Sequence, residues 1–77
     1  MEYGAFTDAS LTMMYEAVRG ALQADDEFEA NGEEPKFRVR GTIEWKRHAD
    51  NLETEMLRRG LHVDVIDWAD RQGEASP

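Results

Sequence analysis

Two runs of apolar residues at three- and four-residue spacing, cut apart by Asn31-Gly32-Glu33-Glu34-Pro35, confine this chain to two helices joined by a short link. In the first run Leu11, Met14, Tyr15, Val18, Ala21 and Leu22 form one stripe, and Thr7, Asp8 or Ser10 can supply the N-cap oxygen. Glu16 and Arg19 can pair on its outer face. Gly20 costs about 1 kcal/mol relative to Ala and leaves room for a close helix contact. In the second run the stripe is Trp45, Ala49, Leu52 and Met56, after Thr42 as N-cap and with Glu44 in the first turn. Lys46 with Asp50, Glu44 with His48, and Glu55 with Arg58 or Arg59 are spaced to pair. Gly60 suits the left-handed stop, and Leu61 can fold back on Met56. The chain is thus expected to be mainly α, a helical hairpin with helices over about 8–30 and 43–59.

Carrying the first helix to Ala30, with Asn31-Gly32 as its stop, breaks a local rule. Asp25, Asp26, Glu27 and Glu29 then crowd the negative end of the helix dipole, each unfavourable by roughly 0.3–1 kcal/mol. A rule broken without local gain marks a place where a partner is expected. Lys36 to Arg40 alternates cations with Phe37 and Val39, which predicts a short extended segment near 36–40. The β-branched and aromatic residues of 62–67 predict another, and Trp68 follows directly. If the two segments paired around the second helix, the fold would be a small α+β with a βαβ unit. Such a sheet would have only two strands, and parallel sheets normally need both faces covered. Residues 1–70 are expected to form one domain and 71–77 a mobile tail.

At 77 residues and without cysteine, the chain has a thin core and no disulfide to staple it, so a stabilising partner or a second copy is expected. Its net charge is −8, and the distribution is uneven. Residues 1–34 hold nine carboxylates against Arg19 alone, whereas 35–77 hold eight groups of each sign. This balance argues against direct nucleic-acid binding, which needs clustered Lys and Arg, and against docking on anionic lipid. No apolar run approaches the length of a membrane span, and the start carries no secretory pattern, so a cytoplasmic protein is expected.

No catalytic or metal motif emerges. With Gly32 at position six of a calcium loop, position twelve would be Arg38 where a bidentate Glu is required. Glu44 and His48 share a helix face, but no third ligand repeats with them, and a helix-stabilising pair is the simpler reading. Ser10 and Ser76 are the only serines, the glycines are isolated, and no nucleophile with an oriented base can be assigned. The chain is therefore expected to be no enzyme and to hold no cofactor or metal. The candidate partner-binding residues are Asp25, Asp26, Glu27 and Glu29, with Trp45 and Trp68 as aromatic anchors. Both tryptophans can equally belong to the core. Lys36, Arg38 and Arg40 are expected to neutralise the chain's own acidic segment.

The stretch Phe37-Arg-Val-Arg-Gly-Thr-Ile-Glu-Trp-Lys-Arg-His-Ala-Asp-Asn-Leu-Glu-Thr-Glu-Met-Leu-Arg-Arg-Gly60 resembles a group of short bacterial proteins of unassigned activity. The resemblance implies a bacterial cytoplasmic origin and transfers no functional residue. Taken together, these readings lead to a small acidic protein-interaction module, homodimeric through its two apolar stripes. The alternative is an acidic nucleic-acid mimic of the anti-defence type, inhibiting a basic nucleic-acid-binding protein through its carboxylates.

Overall fold

The computed structural model describes residues 2–68. A 3-10 turn, Tyr3–Ala5, leads into α1, Asp8–Ala30, and the link 31–42 returns the chain to α2, Ile43–Arg58. The two helices pack on each other as a hairpin, and the 3-10 turn packs on α2. No strand forms among the described residues, so the βαβ alternative is not adopted. The expected tail, 71–77, lies outside the described residues.

Helix boundaries follow from local chemistry. Thr7 caps α1, its hydroxyl oxygen accepting from the Ser10 amide at 3.1 Å. At the other end Gly32, at a φ of 78°, lets the Glu33 and Gly32 amides donate to the carbonyls of Phe28 and Glu29 at 2.8 and 3.0 Å. The C-terminus of α2 repeats the pattern: Gly60 has a φ of 77°, and the Leu61 and Gly60 amides donate to Met56 and Leu57, both at 2.9 Å. Leu61 packs against the core as expected. Thr42 holds the N-cap position of α2, but its hydroxyl makes no capping bond.

The core consists of Leu11, Tyr15, Val18 and Leu22 of α1, Ala49, Leu52 and Met56 of α2, and Val39 and Ile66 from the irregular segments. Burying an aliphatic side chain of this kind is worth about 1.5–3 kcal/mol. The broad stripe of α1 is divided: Leu11, Tyr15, Val18 and Leu22 turn inward, while Met14 and Ala21 sit half-exposed on one flank. Gly20 makes no close helix contact, since a Cβ placed there would meet nothing within 4 Å.

The segment 36–40 is not extended. Arg38 takes a left-handed φ of 55°, so Val39 enters the core while Phe37 stays 42 % exposed. Asp25 is the cause. Its carboxylate is 3 % exposed and accepts from the Phe37 and Val39 amides, both at 2.8 Å. A buried carboxylate receiving two backbone donors fixes the loop and is itself satisfied. The neighbouring Asp26 pairs with Arg40.

Residues 61–68 cross the hairpin as a strap without regular structure. Ile66 fills the core, and the Ile66 amide donates to the Tyr15 hydroxyl at 3.0 Å. That hydroxyl in turn donates to Glu53 at 2.7 Å. Burial and the Glu53 carboxylate together push the Tyr15 phenol up to about 12. Arg19 donates to the Asp64 carbonyl and Arg40 to that of Trp68, so the strap is held by its main chain. At the opposite end Arg59 clips the fold, bonding Glu55 and Asp8 at 2.8 Å each and the Gly4 carbonyl at 3.1 Å. The Arg58 and Arg59 guanidinium groups hold Glu55 below the usual carboxylate range, and Glu55 with Asp8 raises Arg59.

Candidate functional site

Between the middle of α1 and the first turns of α2 lies an apolar groove of about 450 Å³, lined by Met14, Ala17, Val18, Thr42, Glu44, Trp45 and His48. The core stripe of α1 packs on α2, and Met14 and Ala17, about a quarter-turn to one side of it, face Glu44, Trp45 and His48 across the groove. Met14, Ala17, Ala21, Ala24 and Phe28 recur along this flank at three- and four-residue spacing, and none of the charged residues of α1 falls among them. Ala17 is exposed and the other four are half-buried.

Trp45 forms the α2 wall. It packs against the core from a half-buried position, and the Phe37 ring meets it edge-on with centroids 6.3 Å apart. His48 is fixed beside it by the Tyr3 hydroxyl, 2.7 Å from Nδ1, and not by Glu44 as the spacing suggests. Glu44 is exposed at the rim. A second recess of about 360 Å³ lies on the other side of the α2 N-terminus, among Val39, Arg40, Gly41, Thr42, Ile43, Lys46 and Trp68. There the Lys46 ammonium stands over the Trp68 ring at 5.8 Å, and Arg40 is engaged with Asp26.

The candidate residues are not brought together as one surface. Asp25 is withdrawn from any partner: it is buried, with both oxygens taken by the loop. Asp26 is half-buried against Arg40. Glu27 and Glu29 remain exposed at the end of α1. Trp45 and Trp68 are both half-buried against the core and line separate recesses, so each is part core and part surface. The expectation that the link's cations neutralise the acidic segment holds for Arg40 with Asp26 and for Arg38, which meets Glu34 at 3.4 Å.

Sequence reasoning missed Met14 and Ala17 as groove residues. Their signal was the width of the apolar stripe, which spans more of the helix than one partner helix can cover. Among the described residues no group of three or more His, Asp or Glu side chains is placed to hold a metal ion. Nor is any helix there long and apolar enough to cross a membrane. No protein-family model, curated protein or solved structure matches the chain.

Proposed function

We propose that this chain is a small acidic protein-interaction module whose contact face is the groove between α1 and α2. The observation that carries this reading is an open apolar groove walled by a half-buried tryptophan in a chain of net charge −8. Exposed apolar recesses of this kind mark interaction sites, and tryptophan is enriched among the residues that dominate binding energy. The two core stripes cover each other within one chain, so they no longer supply a motive for a homodimer. Two copies at −8 also repel, whereas a basic partner is drawn in over a longer range. The cysteine-free sequence and the bacterial resemblance of 37–60 support a bacterial cytoplasmic setting.

The test is affinity capture from the native cell with the intact chain and with Ala17→Gln, which fills the groove at an exposed helical position without removing a core contact. Loss of a captured protein with helical circular dichroism unchanged is the expected result. Identical capture by both forms would exclude the groove as the contact face. Sedimentation of the chain alone separates the homodimer, which would appear at micromolar concentration and dissociate on Ala17→Gln.

A further inference from the structure

The chain has two asparagines, and they stand before very different neighbours. Asn51 precedes Leu52 in the middle of α2, whereas Asn31 precedes Gly32 at the end of α1. Asparagine is thermolabile because the amide nitrogen of the next residue can attack its side chain. A glycine there has no Cβ to obstruct the approach and lets the backbone turn as the attack requires. We infer that Asn31 is a site of spontaneous deamidation, closed by the folded end of α1 and opened when that end frays.

The reaction needs a base and water and nothing else. The Gly32 N–H gives its proton to the base, and its nitrogen attacks Cγ of Asn31. A new C–N bond forms, the bond from Cγ to the side-chain nitrogen breaks, and that nitrogen takes up a proton and leaves as ammonia. Water then opens one or other carbonyl of the succinimide ring, giving aspartate or isoaspartate.

Two features of the fold oppose the first step. The Gly32 N–H is engaged, donating to the Glu29 carbonyl at 3.0 Å. Asn31 has a ψ of 8°, at which the Gly32 nitrogen eclipses the Asn31 nitrogen and lies about a third of a turn from the side-chain branch. Ring closure turns that nitrogen into line with Cβ, a rotation that breaks the Gly32 bond and also the one from the Glu33 amide to the Phe28 carbonyl, 2.8 Å long. Asn31 is itself exposed, so base and water reach it as soon as the stop opens. Helix ends open locally at far less cost than the whole fold. Isoaspartate does not restore the stop, since it lengthens the main chain by one carbon between residues 31 and 32. Either product adds a carboxylate to the negative end of the dipole, beside Glu27 and Glu29.

The experiment follows the mass of the full chain at mildly alkaline pH, folded and in guanidinium chloride, next to a synthetic peptide of residues 27–35. Peptide mapping locates the change. Peptide and denatured chain are expected to react at matching rates at Asn31, with Asn51 as the slow control in the same sample. The folded chain should be slower by at least about tenfold, which corresponds to roughly 1.4 kcal/mol of local opening. Hydrogen exchange of the Gly32 amide is measured alongside, and low concentrations of denaturant should raise both rates together. Asp25→Ala, which frees the link from α1, should bring the folded rate closer to that of the peptide with helical circular dichroism retained. If that variant unfolds instead, the denaturant series decides. Equal rates in the folded chain and the peptide would overturn the protection by the fold. So would Gly32 exchange that climbs with denaturant while deamidation does not. A denatured chain in which Asn31 lasts as long as Asn51 would overturn the site itself.

Discussion

The C-terminus of α1 and the C-terminus of α2 close with the same pair of backbone bonds onto a left-handed glycine, yet the first is crowded with carboxylates and the second with guanidinium groups. At α2 every local rule agrees: Arg58 and Arg59 suit the dipole, pair with Glu55 one turn back, and precede Gly60. At α1 the local rules are broken by four acidic residues, and two of them are put to use at a distance. Asp25 holds the backbone of the link and Asp26 holds Arg40. A locally unfavourable charge is therefore not by itself a sign of a binding surface. It can be a group whose partner arrives from another part of the chain.

The comparison breaks most directly at Asp25. Asp25→Ala orphans two amides at the edge of the core, and each unsatisfied buried group costs about 1–3 kcal/mol. A loss of about 2–4 kcal/mol in urea unfolding is expected, with Asp25→Asn, which keeps one acceptor oxygen, losing about half as much. A change below about 0.5 kcal/mol would return Asp25 to the list of surface charges.

Tyr15→Phe comes next, since it leaves the Ile66 amide without its acceptor, at about 1–3 kcal/mol. It also carries a pH signature. The folded phenol is raised from 10.0 to about 12, so its contribution to stability is complete below pH 10 and is lost as pH rises through 12. Alkaline unfolding followed by circular dichroism should therefore weaken across that window in the parent chain and be flatter there in the variant.

The smallest effect sharpens the contrast within one helix end. Glu27→Gln with Glu29→Gln removes the two carboxylates that remain exposed, and stability should stay within about 0.5 kcal/mol or rise slightly as the dipole interaction is relieved. A loss as large as that of Asp25→Ala would show that all four acids are structural.

The difference between the helix ends also explains what could be read from the sequence. Both glycine stops and the Glu55 pairs rest on contacts between residues a few positions apart, and the core residues Leu11, Val18, Leu52 and Met56 announce themselves by apolar spacing within each helix, so the hairpin was readable. Val39 turning inward depends on a left-handed Arg38 that Asp25 stabilises from across the link, and no local propensity records such a bond. Alternation at 36–40 therefore suggested a strand where the chain makes a turn. The candidate site was legible only in part. Trp45 stood out by its type, whereas Met14 and Ala17 matter because of where the edge of α2 falls, which spacing within α1 does not specify.

The strap 61–68 is placed in part by bonds that do not depend on its own side chains. Tyr15, Arg19 and Arg40 address it through an amide and two carbonyls, groups that nearly every residue possesses. Such addressing is blind to the strap's own side chains, which count only at Ile66, filling the core, and at Leu61, Val63 and Trp68, packed against it. Substitutions at the exposed positions His62, Asp64 and Val65 therefore alter the outer surface of the molecule while its path stays the same. Those three positions are free to diverge while the strap lies in the same place.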